Sequence, residues 1–213
     1  VVTTIASALA LFLVACGEEE SVSGANETAG TYRVKVVTAE FPSKQRLGET
    51  TLLRLGVRNT GDKPLPSLTV TISVGGEEGR ASALPFGYRD PSPELAQPDR
   101  PVWALAASYP RLNGSSERAG AETSNPKTFA FGPLKAGATA EAVWKLSAVR
   151  TGDYEILYGV GGGIGGAAKA EASPGTQAGG SFTTTITEVP PNTVVTDSGE
   201  VVPAPKDPTE ANR

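Results

Sequence analysis

Cys16 is the only thiol in the chain, and the 213 residues include no His and no Met. Ser-His-Asp and Cys-His catalysis, His-ligated metal sites and imidazole pH switching all need a residue this chain lacks. The soft and imidazole ligands of a copper or zinc carrier are missing too. Carboxylates, Lys, Ser and Tyr remain. Asp90, Glu94, Asp99 and Glu122 are the acidic residues to weigh. A pair of them about 5–10 Å apart in a cleft would suit glycoside hydrolysis. Asp90, Glu94 and Asp99 carry oxygens of the kind Ca²⁺ takes, but Pro91, Pro93 and Pro98 interrupt them and no EF-hand spacing appears. Solvated loop charges account for the same residues. No metal and no cofactor is expected.

Two further groups have a type and spacing worth reading. Gly161-Gly162-Gly163-Ile164-Gly165-Gly166 fits the letters of the dinucleotide fingerprint and follows a strand-like run. That motif needs a helix next, whose N-terminus holds a pyrophosphate. Here Ala167 to Ala172 is stopped by Pro174 after barely two turns, so a hairpin loop is the expected role. Phe86, Tyr88, Trp103 and Tyr109 are aromatic residues set among polar ones. They are candidates for contacts with a glycan or a partner protein. The competing reading has them pin a long excursion to the core.

The setting of Cys16 gives its chemistry a direction. The apolar run from Ile5 to Ala15 is too short to span a bilayer as a mature helix, but it suits the core of an export signal. Gly17-Glu18-Glu19-Glu20 follows at once, which places Cys16 outside any packed core. Leu13-Val14-Ala15-Cys16 resembles the lipobox of bacterial lipoproteins. The resemblance implies cleavage before Cys16 and acylation of its thiol and new amine. It implies a protein held at the extracytoplasmic face of the bacterial cell membrane. Such a signal opens with a basic stretch, whereas this chain begins Val1-Val2-Thr3-Thr4. Either a few preceding residues or an alternative start codon at Val1 is expected. An uncleaved anchor would need a longer apolar span.

The elements around these residues follow from composition and alternation. Gly 25 and Pro 17 point to turns rather than long helices, and 38% hydrophobic content is enough for one core. A net charge of −4 offers no basic footprint for nucleic acid. It also argues against charge-driven binding to anionic head groups. One Cys excludes an intrachain disulfide.

Residues 17–30 lack apolar periodicity and read as an acidic linker. Alternation then begins with Tyr32, Val34 and Val36 against Arg33 and Lys35. It recurs at Leu53, Leu55 and Val57. The β-branched run Leu68 to Val74 is the clearest strand. Residues 75–127 show little periodicity and read as a long loop insertion, with Pro101 to Ala106 as a short strand or anchor. Strands resume at Thr128 to Phe131, Thr139 to Ala148, Tyr154 to Val160 and Phe182 to Val189. Trp144 falls on an apolar face and is expected in the core. Residues 190–213 are Pro-rich and read as a mostly disordered tail, with Thr193 to Val195 and Val201-Val202 able to pair locally.

About seven strands with turns between them predict an antiparallel immunoglobulin-like β-sandwich over residues 31–189. Two stretches resemble a family. Leu53 to Val57, then Arg58-Asn59-Thr60-Gly61-Asp62-Lys63-Pro64, is similar to the immunoglobulin-like modules of bacterial surface proteins, of the CARDB and DUF11 types. Phe131 to Gly137, Trp144, Gly152-Asp153-Tyr154 and Tyr158 are similar to the late strands of that sandwich. The resemblance makes Tyr154 a tyrosine-corner residue, with Ile156 where antibody domains place a disulfide Cys. Lipobox and module together resemble lipoproteins of actinobacterial type. The expected function is a non-enzymatic, lipid-anchored binding or structural module of the cell envelope, with an envelope protein or glycan as its partner. A carbohydrate-active surface enzyme and an accessory subunit of an envelope complex are the alternatives.

Overall fold

The computed structural model describes residues 27–75, 86–88, 101–122, 125–188, 193–195 and 197–203. Every regular element among them is a strand. In chain order these are β1 (Gly30–Glu40), β2 (Lys44–Arg46), β3 (Thr50–Asn59), β4 (Thr69–Gly75), β5 (Phe86–Tyr88), β6 (Trp103–Leu105), β7 (Arg111–Leu112) and β8 (Gly120–Glu122). Then come β9 (Asn125–Ala130), β10 (Thr139–Ala148), β11 (Gly152–Gly161), β12 (Ala168–Ser173), β13 (Thr176–Gln177), β14 (Gly179–Thr187), β15 (Thr193–Val195) and β16 (Val201–Pro203).

Two sheets pack face to face. One is eight-stranded in the order β13-β12-β1-β3-β10-β6-β5, with β7 also on β10; the other runs β2-β14-β11-β4-β9-β8. The long strands carry the immunoglobulin-like plan. First, second and fifth (β1-β3-β10) form one layer, and seventh, sixth, third and fourth (β14-β11-β4-β9) form the other. Alternation explains the layers. Leu53, Leu55 and Val57 of β3 face Val70, Ile72 and Val74 of β4 across the interior, and all six are buried. Trp103, Trp144 and Phe129 fill the middle of that core. Each such side chain removed from water contributes about 1.5–3 kcal/mol.

Several readings from sequence meet their geometry here. The Tyr154 hydroxyl donates to the Thr151 carbonyl at 2.7 Å, the bond of a tyrosine corner. Ile156 and Trp144 are fully buried. Asn59 is buried too. Its Nδ2 donates to the carbonyls of Lys63 (2.9 Å) and Leu134 (3.0 Å), and its Oδ1 accepts from Gly61 N at 3.0 Å. That side chain is why the strand ends in Asn-Thr-Gly-Asp, for it satisfies the backbone of the turn it starts.

Two stretches differ from expectation, and the tail pairs locally as expected. The described parts of the 75–127 insertion are not loop throughout. β5 and β6 extend the first sheet, β8 extends the second, and β7 caps β10. These strands are too short to show a period of two. The stretch Ala167 to Ala172 is neither helix nor hairpin loop. Most of it is β12, which crosses to the first sheet and pairs parallel with β1, Gly30 opposite Ala168 through Arg33 opposite Glu171. In the tail, β15 and β16 pair with each other, Val194 opposite Val202.

Candidate functional site

Cys16, Asp90, Glu94 and Asp99 lie outside the described residues. Glu122 is placed through the backbone of β8. The aromatic set is divided by the fold. Phe86 and Trp103 sit opposite each other on the parallel pair β5-β6, and both are buried. Trp103 is 0% exposed. Its indole meets Phe41 and Tyr154 edge-on, both at 5.6 Å between ring centroids. Its Nε1 donates to Gln45 Oε1 at 2.9 Å. Trp103 and Phe86 therefore pin the insertion to the core, and a displayed contact surface is the wrong description for them. Tyr88 pairs through its backbone with Leu105. Tyr109 is half-buried; its hydroxyl accepts from Arg111 Nη2 at 3.0 Å, and the guanidinium carbon lies 4.5 Å from its ring centroid. Tyr109 packs partly against the core and keeps an exposed edge with Arg111 as its cationic partner.

The Gln45–Trp103 bond crosses the sandwich. Gln45 stands on β2, at the edge of the second sheet, and is itself buried at 2% exposure. A buried amide and a buried indole N–H each need a partner, and here each supplies the other's. Sequence reasoning missed Gln45, because the two residues are 58 positions apart.

The glycine loop holds an anion, though not a phosphate. Glu27 Oε1 accepts from Gly165 N at 2.8 Å. A Cβ at Gly163 would overlap the Glu27 carboxylate, and one at Gly162 would come within 2.9 Å of the Ala168 carbonyl. Glycine is required for this close approach. The last residues before β1 are thereby fastened, with Tyr32 OH also donating to the Thr28 carbonyl at 2.9 Å.

Two open depressions meet at Thr185, at the opposite end of the sandwich. One, of about 600 Å³, is lined by Ser43, Gly75, Asp153, Tyr154, Glu155 and Thr183 to Thr185. The other, of about 820 Å³, is lined by Lys44, Gln45, Arg46, Leu47, Glu49, Thr185 and Thr187. Asp153 and Glu155 are two apart on β11, so they share the outer face with Cα atoms about 6.8 Å apart. Side chains so placed can approach one another as a glycosidase's carboxyl pair must, but the setting does not suit that chemistry. Both carboxylates are exposed, and Asp153 already accepts from Thr185 Oγ1 at 2.6 Å. A general acid of such a pair is held protonated by a dry pocket. Thr183, Thr185 and Thr187 alternate along the exposed face of β14; Thr185 Oγ1 donates to Asp153 Oδ1 and Thr187 Oγ1 donates to the Gln45 carbonyl at 3.4 Å.

No protein-family model matches the chain, and no curated protein sequence does. Solved structures are similar at low identity. The CARDB domain of a Pyrococcus furiosus protein, solved in complex with di-metal ions, is 12% identical over 75% of this chain and 93% of that one, at a TM-score of 0.39. An alpha-2-macroglobulin from Salmonella is 15% identical over 76% of this chain, at a TM-score of 0.40. This chain spans 7% of that much longer protein. AvmM, which catalyses macrocyclization in alchivemycin A biosynthesis, is 11% identical over 75% of this chain and 90% of that one, at a TM-score of 0.38. Likeness at this level carries none of the neighbours' ligands or activities over to this chain.

Proposed function

We propose that this chain is a lipid-anchored, non-catalytic module of the bacterial cell envelope, held at the extracytoplasmic face through Cys16. One observation carries the reading: an apolar run ending in Leu13-Val14-Ala15-Cys16, then an acidic stretch, leads straight into an immunoglobulin-like sandwich. Stable attachment takes two lipid chains, which a diacylated Cys supplies. The sandwich then presents sheet faces and edges, with Tyr109 and the hydroxyl-lined face of β14 as the surfaces for an envelope protein or glycan. The interior is filled by Trp103, Trp144 and their neighbours, so recognition belongs to the outer faces.

The test replaces Cys16 with Ser and fractionates the cells. The variant is expected in the soluble extracytoplasmic fraction or as unprocessed precursor, with the acyl mass missing from the N-terminal peptide. A Cys16→Ser chain that stays fully membrane-bound at wild-type size overturns the anchor.

A further inference from the structure

The net charge of −4 hides an uneven distribution. At the pole where β1 begins, β3 ends and β10 begins stand Arg33, Lys35, Arg58, Lys63, Lys135 and Lys169. The registers bring them together: Lys35 lies opposite Arg58, Arg58 opposite Thr139, and Thr31 opposite Lys169. The turn bearing Lys63 is tied to Asn59, and Gly137, just past Lys135, donates its N–H to the Asn59 carbonyl at 2.9 Å. All but Arg33 are exposed. Among the described residues the carboxylates there are Glu27, Asp62 and Glu171, half as many; Glu18, Glu19 and Glu20 precede them in the chain. Glu171 is 3.9 Å from Arg33, and Glu27 is turned into the glycine loop. At the opposite end Glu40, Glu49, Asp153, Glu155 and Glu188 are matched by Lys44, Arg46, Arg54, Lys145 and Arg150, so no cationic excess forms there. Lys35 facing Arg58 across an antiparallel pair is unfavourable in an isolated sheet. An external anion offsets that repulsion.

The occupant follows from where the chain enters. Glu27 and Gly30 are at the cationic pole, and residues 17–26 alone separate them from Cys16. That length of chain reaches at most about 40 Å. We infer that the cationic pole docks on an anionic bilayer, so that the anchored sandwich stands with β1's start toward the lipid and the Asp153–Glu155 end away from it. The inference deepens the anchor reading and rests on it for the position of the bilayer. Its partner chemistry is the phosphate of an anionic head group.

The experiment is amine labelling of the full chain on phosphatidylglycerol or phosphatidylcholine vesicles, with sites read by mass spectrometry on protein that sediments. On phosphatidylglycerol at low salt, Lys35, Lys63, Lys135 and Lys169 should label roughly fivefold more slowly than on phosphatidylcholine, the effect of about one head-group interaction each. Lys44 should not change, and high salt should erase the difference. The Lys35→Glu, Arg58→Glu variant should lose the protection at Lys63 and Lys135 with its melting temperature kept. If that variant does not fold, the salt and lipid comparison on the wild type decides alone. Equal labelling on both vesicles by an attached chain refutes the pole and leaves the anchor standing. A chain with no lipid on Cys16 that still sediments with phosphatidylglycerol refutes the anchor and keeps the pole. A chain that sediments with neither refutes both.

Discussion

The two tryptophans allow a prediction with an internal control. Trp103 and Trp144 are both 0% exposed and both lie between the sheets. They differ in one atom's surroundings. Trp103 Nε1 donates to Gln45 at 2.9 Å, whereas Trp144 Nε1 is buried without a hydrogen-bond partner among the described residues. Replacing either with Phe removes the same atoms, for a shared transfer and cavity cost of about 1–2 kcal/mol. Trp103→Phe also leaves the Gln45 carboxamide oxygen unpaired in the core, which adds about 1–3 kcal/mol. Trp144→Phe removes an unpaired donor and recovers a similar amount. Trp103→Phe should therefore be about 2–6 kcal/mol more destabilising than Trp144→Phe. The assay is equilibrium urea unfolding followed by far-UV circular dichroism, comparing midpoints at a common slope. Adding Gln45→Leu to Trp103→Phe should restore part of the loss, since both polar partners are then gone. Trp144→Phe costing as much as Trp103→Phe would refute the argument.

Other expectations test separate parts of the fold. Tyr154→Phe deletes the bond to the Thr151 carbonyl and should cost about 1 kcal/mol, read as a shift in urea midpoint. Asn59→Ala strips three hydrogen bonds from a buried turn and should cost about 2–4 kcal/mol, with faster amide exchange at Gly61. Gly163→Ala should expel the Glu27 carboxylate and speed proteolysis between residues 26 and 30, as should Glu27→Ala; unchanged cleavage in both would remove the clamp. Burial raises the Tyr158 pKa above its ordinary value of 10.0. The folded state then holds this proton to higher pH than the unfolded chain does, so its stabilising effect is complete below pH 10 and fades as pH rises past it. Tyr158→Phe should flatten that alkaline fall, as measured by melting temperature against pH.

The long strands were legible because their side chains alternate against a half-buried layer. Tyr32, Val34 and Val36 point inward while Arg33 and Lys35 point out, and the same holds for β3, β4, β10 and β11. The excursions were not legible for two physical reasons. β5 to β8 have two or three residues each, below one full repeat of the pattern. β12 does alternate, with Ala168 and Ala170 buried and Lys169 exposed, but alanine's small side chain and low strand preference leave a weak signal. Non-local pairings such as Gln45 with Trp103, or Glu27 with Gly165, leave no local trace, because each partner answers a need created only when the sheets pack. Tyr154 was legible through its family resemblance, since its own bond spans three residues.

Charge shows how a sum misleads where a register does not. The acidic run Glu18 to Glu20 and the acidic residues 77, 78, 90, 94 and 99 dominate the total. All of them lie outside the described residues. Once β1 and β3 are paired with Val34 opposite Asn59, Lys35 must face Arg58. Once Gly137 is bonded to Asn59, the turn carrying Lys135 must join them. The fold thus assembles like charges that the linear sequence keeps more than 20 positions apart, at the end where the chain from Cys16 arrives. An anionic surface screens that repulsion only from this side, because the far end brings no comparable excess of cations. Orientation at a bilayer is then a consequence of strand register, and it should survive exchange of Lys35 for Arg but not for Glu.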